Sequence, residues 1–88
     1  MFYVYFLESQ SFDELYFGFT ANLRRRLIEH NSGLNFSTKR YMPWELIYYE
    51  ACNNEKDAKR REKYLKTSQG RRMFKARMKE YFYEKRKI

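Results

Sequence analysis

The chain opens with Phe2-Tyr3-Val4-Tyr5-Phe6-Leu7, apolar or aromatic at every position. A run without polar alternation offers no solvent face, so it predicts a strand covered on both sides and central in its sheet. Glu8 to Glu14 is polar and reads as a turn, and Leu15 to Phe19 then forms a second strand, the other arm of a hairpin. Thr20 stands where a cap belongs and predicts a helix from Ala21 to about Asn31. Its buried face carries Leu23 and Leu27, and Gly33 is its stop. Ser32 to Pro43 reads as a loop anchored by Phe36 and Tyr41, and Trp44 to Ala51 as a third strand. Asn54, with Asp57 three residues on, forms a capping arrangement that opens a helix to about Thr67. Ser68 starts a last helix whose apolar stripe is Phe74, Met78 and Phe82, spaced by four; Gly70 signals a loose first turn. The order β-β-α-β-α-α predicts an α+β fold, a three-stranded sheet with helices packed on it.

Eighty-eight residues predict a single domain, 1–88, with a thin stability margin. Aromatic residues make up 20% of the chain, which argues against disorder despite 34% charged residues. No apolar run approaches the length of a membrane span, and the N-terminus lacks the basic start of a signal peptide, so a cytoplasmic location with no membrane association is expected. Cys52 is the only cysteine, which excludes an intramolecular disulfide and a cysteine metal cluster; near the end of the third strand, it reads as buried and inert.

Charge is unevenly distributed. The net charge is +8, yet no Lys or Arg precedes Arg24, whereas Lys56 to Ile88 holds fourteen basic and four acidic residues. A basic C-terminal third behind an aromatic N-terminal third is the footprint of a nucleic-acid binder, although a solvated helical face would carry the same charges.

Two helices carry polar residues where their periodicity calls for apolar ones. Ala58, Glu62 and Leu65 share a face, flanked by basic Lys59, Arg60, Lys63 and Lys66, so Glu62 is the carboxylate turned toward the sheet. Such a group is costly unless it pairs with a neighbouring Lys or Arg or holds a cation. Arg26 and His30, one turn apart, border the Leu23/Leu27 stripe and stand at the edge of the core. With one histidine and no cysteine pair, a zinc site is not expected. The working groups of an enzyme built on this chain would be tyrosines, an arginine, the histidine and one acid.

In order and spacing these residues resemble the GIY-YIG nuclease family, in particular its small stand-alone bacterial members related to the nuclease module of the UvrC repair protein. The resemblance is carried by Tyr3-Val4-Tyr5, by Tyr16-Phe17-Gly18, by Asn22 to Asn31 and by Arg61 to Lys66. Tyr16 lies eleven positions after Tyr5, and Arg26 ten positions after Tyr16. The Ser37-Thr38-Lys39 and Pro43-Trp44-Glu45-Leu46 segments also look typical of stand-alone members. Tyr3 stands where the first motif has glycine, Phe17 where the second has isoleucine, and no distal polar match follows Glu62 between Ser68 and Arg77.

The resemblance implies a three-stranded antiparallel sheet flanked by helices and a catalytic set of Tyr5, Tyr16, Arg26, His30 and Glu62. Gly18 would be the position where a side chain crowds the site. Glu62 would hold one divalent metal, Mg²⁺ or Mn²⁺, Arg26 would bind the scissile phosphate, and Tyr16 would take the proton of the attacking water. Tyr5 would position water or phosphate, with His30 sharing the base role or orienting Tyr5. Lys59, Arg60, Lys63, Lys66, Arg71, Arg72 and Lys75 would contact the backbone of nucleic acid, most simply DNA, without sequence preference. The expected activity is a metal-dependent endonuclease, structure-selective in DNA repair or recombination, with a protein partner for targeting. The alternative is a non-catalytic nucleic-acid-binding module using the same fold and basic helices.

Overall fold

The structure is a computed structural model and describes residues 1–86. β1 (Phe2–Ser9) lies between β2 (Leu15–Thr20) and β3 (Trp44–Cys52), antiparallel to both. Its predicted central position holds, because every side chain from Val4 to Ser9 is buried. Glu8 and Ser9 belong to this strand, not to the turn expected of them. Ser9 Oγ accepts from the amides of Ser11 and Phe12 and donates to the Tyr41 carbonyl, so the chain reverses only after it.

Alternation along β1 divides the molecule into two layers of packing. Val4 and Phe6 face α2 (Glu55–Leu65), α3 (Ser68–Arg77) and α4 (Lys79–Arg86), and form the main core with Phe17, Ala58, Leu65 and Phe74. Phe6 and Phe74 stack with ring centroids 4.0 Å apart. Tyr5 and Leu7 face the opposite way, toward α1 (Leu23–Asn31), and pack with Trp44, Tyr16, Leu23 and Leu27. A bulge between the Phe6–Tyr48 and Leu7–Leu46 pairs inserts Ile47 as an extra residue in β3.

Several local expectations are corrected. The first helix starts at Leu23, and Asn22 caps it by accepting from the Arg25 amide; Thr20 is still paired in β2, and its hydroxyl ties down Asn22 instead. Gly33 does end this region, in the left-handed conformation at φ 76°. In the following loop a 3₁₀ turn spans Lys39–Tyr41. Tyr41 is an anchor, packing on Phe12 and Trp44, but Phe36 is 85% exposed. Asn54 caps α2 as expected, accepting from the Lys56 and Asp57 amides. α2 stops at Leu65, and Thr67 caps α3 by accepting from the Gly70 amide. Gly70 is not a loose turn: it is buried where α3 crosses the end of α2, and a Cβ there would lie 2.6 Å from Leu65 Cα. The last helix breaks at Met78, giving β-β-α-β-α-α-α, yet Phe74, Met78 and Phe82 all still reach the main core. Cys52 is half-buried, its thiol donating to the Asn54 carbonyl.

α4 is held by polar contacts as well as by Phe82. Tyr81 donates a hydrogen bond to Glu8 Oε1, and Lys85 pairs with Glu8 Oε2. Glu8 is the carboxylate that a buried strand end would otherwise leave uncompensated.

Candidate active site

Strand alternation sends Tyr5 onto the α1 side of the sheet, directly opposite Gly18 on β2. The tyrosine ring lies across the strand at this glycine. A Cβ at Gly18 would fall 2.7 Å from Tyr5 Cε1 and closer still to Cζ and Oη. The glycine is therefore the seat of the ring, and the sequence-based expectation of crowding holds.

Lying flat, Tyr5 reaches the C-terminal turn of α1. Its hydroxyl is 2.8 Å from His30 Nε2, and His30 Nδ1 is 2.8 Å from Thr38 Oγ1 in the following loop. Trp44 Nε1 fixes that loop by donating to the Thr38 carbonyl at 2.9 Å. Tyr5, His30 and Thr38 are each 1% exposed or less. Burial first, and Tyr16 second, push the Tyr5 phenol well above its usual pKa; Arg26 pulls the other way, and the Glu62 carboxylate adds to the rise. Burial first, then the Arg26 charge, hold the His30 imidazole below its usual value, partly offset by Glu29. A neutral phenol and a neutral imidazole follow. The neutral ring donates through one nitrogen and accepts through the other, linking the Tyr5 hydroxyl, the imidazole and the Thr38 hydroxyl in one hydrogen-bonded chain.

Tyr16 completes the aromatic set. Its ring is 4.9 Å from that of His30 and 6.2 Å from that of Tyr5. It is only half-buried, and its hydroxyl has no hydrogen-bond partner among the described residues. No buried side-chain polar atom there lacks a partner, so the Tyr16 hydroxyl faces solvent. His30 has both nitrogens engaged and no exposed surface, so any proton it influences must pass through Tyr5.

Arg26 projects from α1 beside these groups, half-exposed, with Nε 3.1 Å from Glu29 Oε1. Its charge is felt by both Tyr5 and His30. Glu62 comes from α2, turned partly inward as predicted, with a side chain 22% exposed. It pairs with Lys66 Nζ at 3.1 Å, the ion-pair alternative for this position, and its charge still registers at Tyr5. Of the five predicted residues, Tyr5, Tyr16 and His30 pack on one another on the α1 face, Arg26 is near enough for its charge to reach Tyr5 and His30, and Glu62, from α2, registers through its charge at Tyr5.

The seven predicted phosphate contacts do not form one free basic stripe. Lys59, Arg60 and Lys66 pair with Glu55, Asp57 and Glu62 on their own helix. Arg71 lies over the Phe17 ring, 5.4 Å from its centroid, while Lys63, Arg72 and Lys75 are exposed. The sequence pattern gives no sign that Thr38 is the partner of His30, or that Trp44 holds the Thr38 carbonyl.

The donor set can be tested for a metal. Among the described residues no three His, Cys, Asp or Glu side chains converge. A cation here would rest on the Glu62 carboxylate, with substrate oxygens and water completing its shell. That is the way Mg²⁺ is ordinarily held, by one or two carboxylates plus phosphate, so the residues fit.

Fold and constellation define a class. The family model described as GIY-YIG catalytic domain matches residues 1–77, and the chain belongs to the GIY-YIG family, whose members are in general endonucleases. It is 38% identical over 65 residues to the UPF0213 protein CPE1444 of Clostridium perfringens, covering 73% of this chain and 69% of that protein. It is 40% identical over 65 residues to the UPF0213 protein SAG0778 of Streptococcus agalactiae, covering 73% of each. A UPF0213 protein of Pediococcus acidilactici is 38% identical over 68 residues, covering 74% of this chain and 66% of that one. No solved structure matches the chain. No described helix is long and apolar enough to cross a membrane.

Proposed function

We propose that this chain is a metal-dependent endonuclease that hydrolyses phosphodiester bonds, with DNA as substrate and little sequence preference. The observation that carries the reading is the half-buried Tyr16, whose ring packs on His30, next to a Tyr5 that burial keeps neutral and that feels the charge of Arg26. Arg26 supplies the guanidinium for the scissile phosphate, where planar donors stabilise the charge that grows in the transition state. Tyr16, the accessible phenol, takes the proton of the attacking water. Tyr5 orients water or phosphate through its hydroxyl, and His30, held by Thr38, orients Tyr5. Glu62 would hold Mg²⁺ or Mn²⁺, which supplies Lewis-acid stabilisation of the phosphate and the leaving oxygen when bound. Lys66 serves as the counter-ion of this carboxylate in the absence of a cation.

The exposed Lys63, Arg71, Arg72 and Lys75 carry the phosphate contacts, with Lys59, Arg60 and Lys66 contributing less because acids one turn away already neutralise them. The reading includes a role in repair or recombination in the cytoplasm, with a protein partner for targeting.

The test is nicking of supercoiled plasmid and a branched oligonucleotide with Mg²⁺, Mn²⁺ or EDTA, alongside Tyr16→Phe, Arg26→Ala and Glu62→Ala. Metal-dependent nicking by the parent that is lost in all three supports the reading. Equal cutting by all four preparations means contamination. Salt-sensitive binding without cutting by any of them favours the non-catalytic binding module.

A further inference from the structure

The loop between α1 and β3 combines two residues of opposite burial. Thr38 is 1% exposed and bonded to His30, whereas Phe36, two positions earlier, is 85% exposed and Leu34 is 76% exposed. The exposure does not come from a slack chain. Asn35 Oδ1 accepts from the Ser37 amide and hydroxyl, and the Asn35 carbonyl accepts from the amides of Thr38 and Lys39. The loop is tied on both sides of Phe36, and its ring is held outward. Phe36 is thus the most exposed large apolar side chain among the described residues of a chain with little core to spare.

Its surroundings indicate what covers it. Lys39 Nζ lies over the ring, 5.4 Å from the centroid, and Arg40 follows. No acid occurs between Glu29 and Glu45. An exposed aromatic ring beside two cations on an acid-free loop suits a polyanion that also carries flat apolar faces. Its position suits the same ligand. Two residues span at most about 7 Å, so the Phe36 backbone is close to the Thr38–His30–Tyr5 chain.

We propose that Phe36 is a stacking platform for an unpaired nucleobase, with Lys39 and Arg40 on its flanking phosphates. The chain would then select nucleic acid that is single-stranded, flapped or looped next to the phosphate at Arg26. This rests on the nuclease reading of the same site and names its substrate class. A paired base has both faces occupied by its neighbours, so a ring can stack only where the strand is open.

The test is fluorescence anisotropy in EDTA, so that cleavage plays no part. Fluorescein-labelled oligothymidine and a fully paired duplex of equal length are titrated with the full chain, Phe36→Ala and Phe36→Trp. Loss of one stacked base predicts that Phe36→Ala binds oligothymidine roughly 5- to 100-fold more weakly, with duplex binding within about twofold of the parent. Phe36→Trp should restore binding, and the salt slope should be unchanged because no phosphate contact is lost. Unchanged oligothymidine binding by Phe36→Ala overturns the proposal, as does equal weakening on both probes. A change in self-association on sedimentation, with oligothymidine binding unaltered, also overturns it and assigns the patch to a second copy. Absence of metal-dependent nicking by the parent bears on the nuclease reading alone, since the binding titrations decide the stacking platform independently.

Discussion

Gly18→Ala tests the centre of the site with a single methyl group. The added Cβ would meet Tyr5 Cε1 at 2.7 Å and both Cζ and the hydroxyl oxygen more closely, so the ring must move. It has little room to do so, being 1% exposed and packed against Tyr16 and His30. Overpacking of this kind costs about 1–3 kcal/mol. A displaced ring also loses its bond to His30 Nε2, leaving buried polar atoms unpaired at a further cost of about 1–3 kcal/mol. Removing a glycine restricts the unfolded chain and returns about 0.4–1 kcal/mol. The balance is a loss of about 2–4 kcal/mol, a large part of the roughly 4–13 kcal/mol expected for a domain of this size. Urea unfolding of the parent, Gly18→Ala, Tyr5→Leu and the double variant measures it. With the ring gone, Gly18→Ala should cost under about 0.5 kcal/mol, giving a coupling above about 1.5 kcal/mol. A Gly18→Ala cost below about 0.5 kcal/mol in the parent, or the same cost in both backgrounds, refutes the seat assigned to this glycine.

His30 should make stability pH-dependent. Its folded pKa is depressed, so protons bind the unfolded state more readily, and stability is full above the unfolded value near 6.5 and falls as pH drops toward the folded pKa. It is the only histidine, so the urea midpoint should fall between pH 7.5 and 5.5 in the parent but not in His30→Gln; parallel profiles would remove His30 as the cause. Tyr81→Phe deprives the buried Glu8 of its hydroxyl donor and should cost about 1.5–3 kcal/mol in urea unfolding, with α4 becoming protease-sensitive first. If the reaction is that proposed, Arg26→Ala should slow single-turnover cleavage roughly 100- to 1000-fold, and Arg26→Lys should recover little because an ammonium lacks the planar fork. Full rescue by lysine would reduce Arg26 to a point charge.

What could be read from the chain was what local chemistry decides. An unbroken aromatic run made β1 central, Asn54 announced a helix start, and the spacing of Phe74, Met78 and Phe82 fixed a buried stripe. Motif spacing singled out Tyr5, Tyr16 and His30, whose rings the fold packs against one another. What escaped was decided by tertiary contact. Thr20 and Asn22 are both competent caps, and the choice fell to Asn22 because Thr20 is still paired with Tyr3 in the sheet. Neither Gly nor Pro marks the break at Met78; beyond it, α4 carries Tyr81 and Lys85 to Glu8 at the far end of β1. A large apolar residue such as Phe36 would ordinarily anchor its loop, but here hydrogen bonds from Ser37, Thr38 and Lys39 back to Asn35 fix the backbone around it and its ring is exposed.

Burial divides the site into two kinds of residue, and that division governs how any mutational result must be read. Tyr5, His30 and Thr38 are interior: their hydrogen bonds help to hold α1 and the loop on the sheet, so replacing them alters fold and chemistry together. In a small domain whose total stability is only a few times the worth of one buried hydrogen bond, loss of activity at these positions carries little information without a stability measurement beside it. Tyr16, Arg26 and Glu62 are half-exposed, and their polar groups are free or paired only on the surface. Surface pairs contribute little to folding, so substitutions at these three can remove function and leave the protein standing. If the reaction is that proposed, the residues that reach the substrate are those the fold can do without, and the residues that aim them are those it cannot.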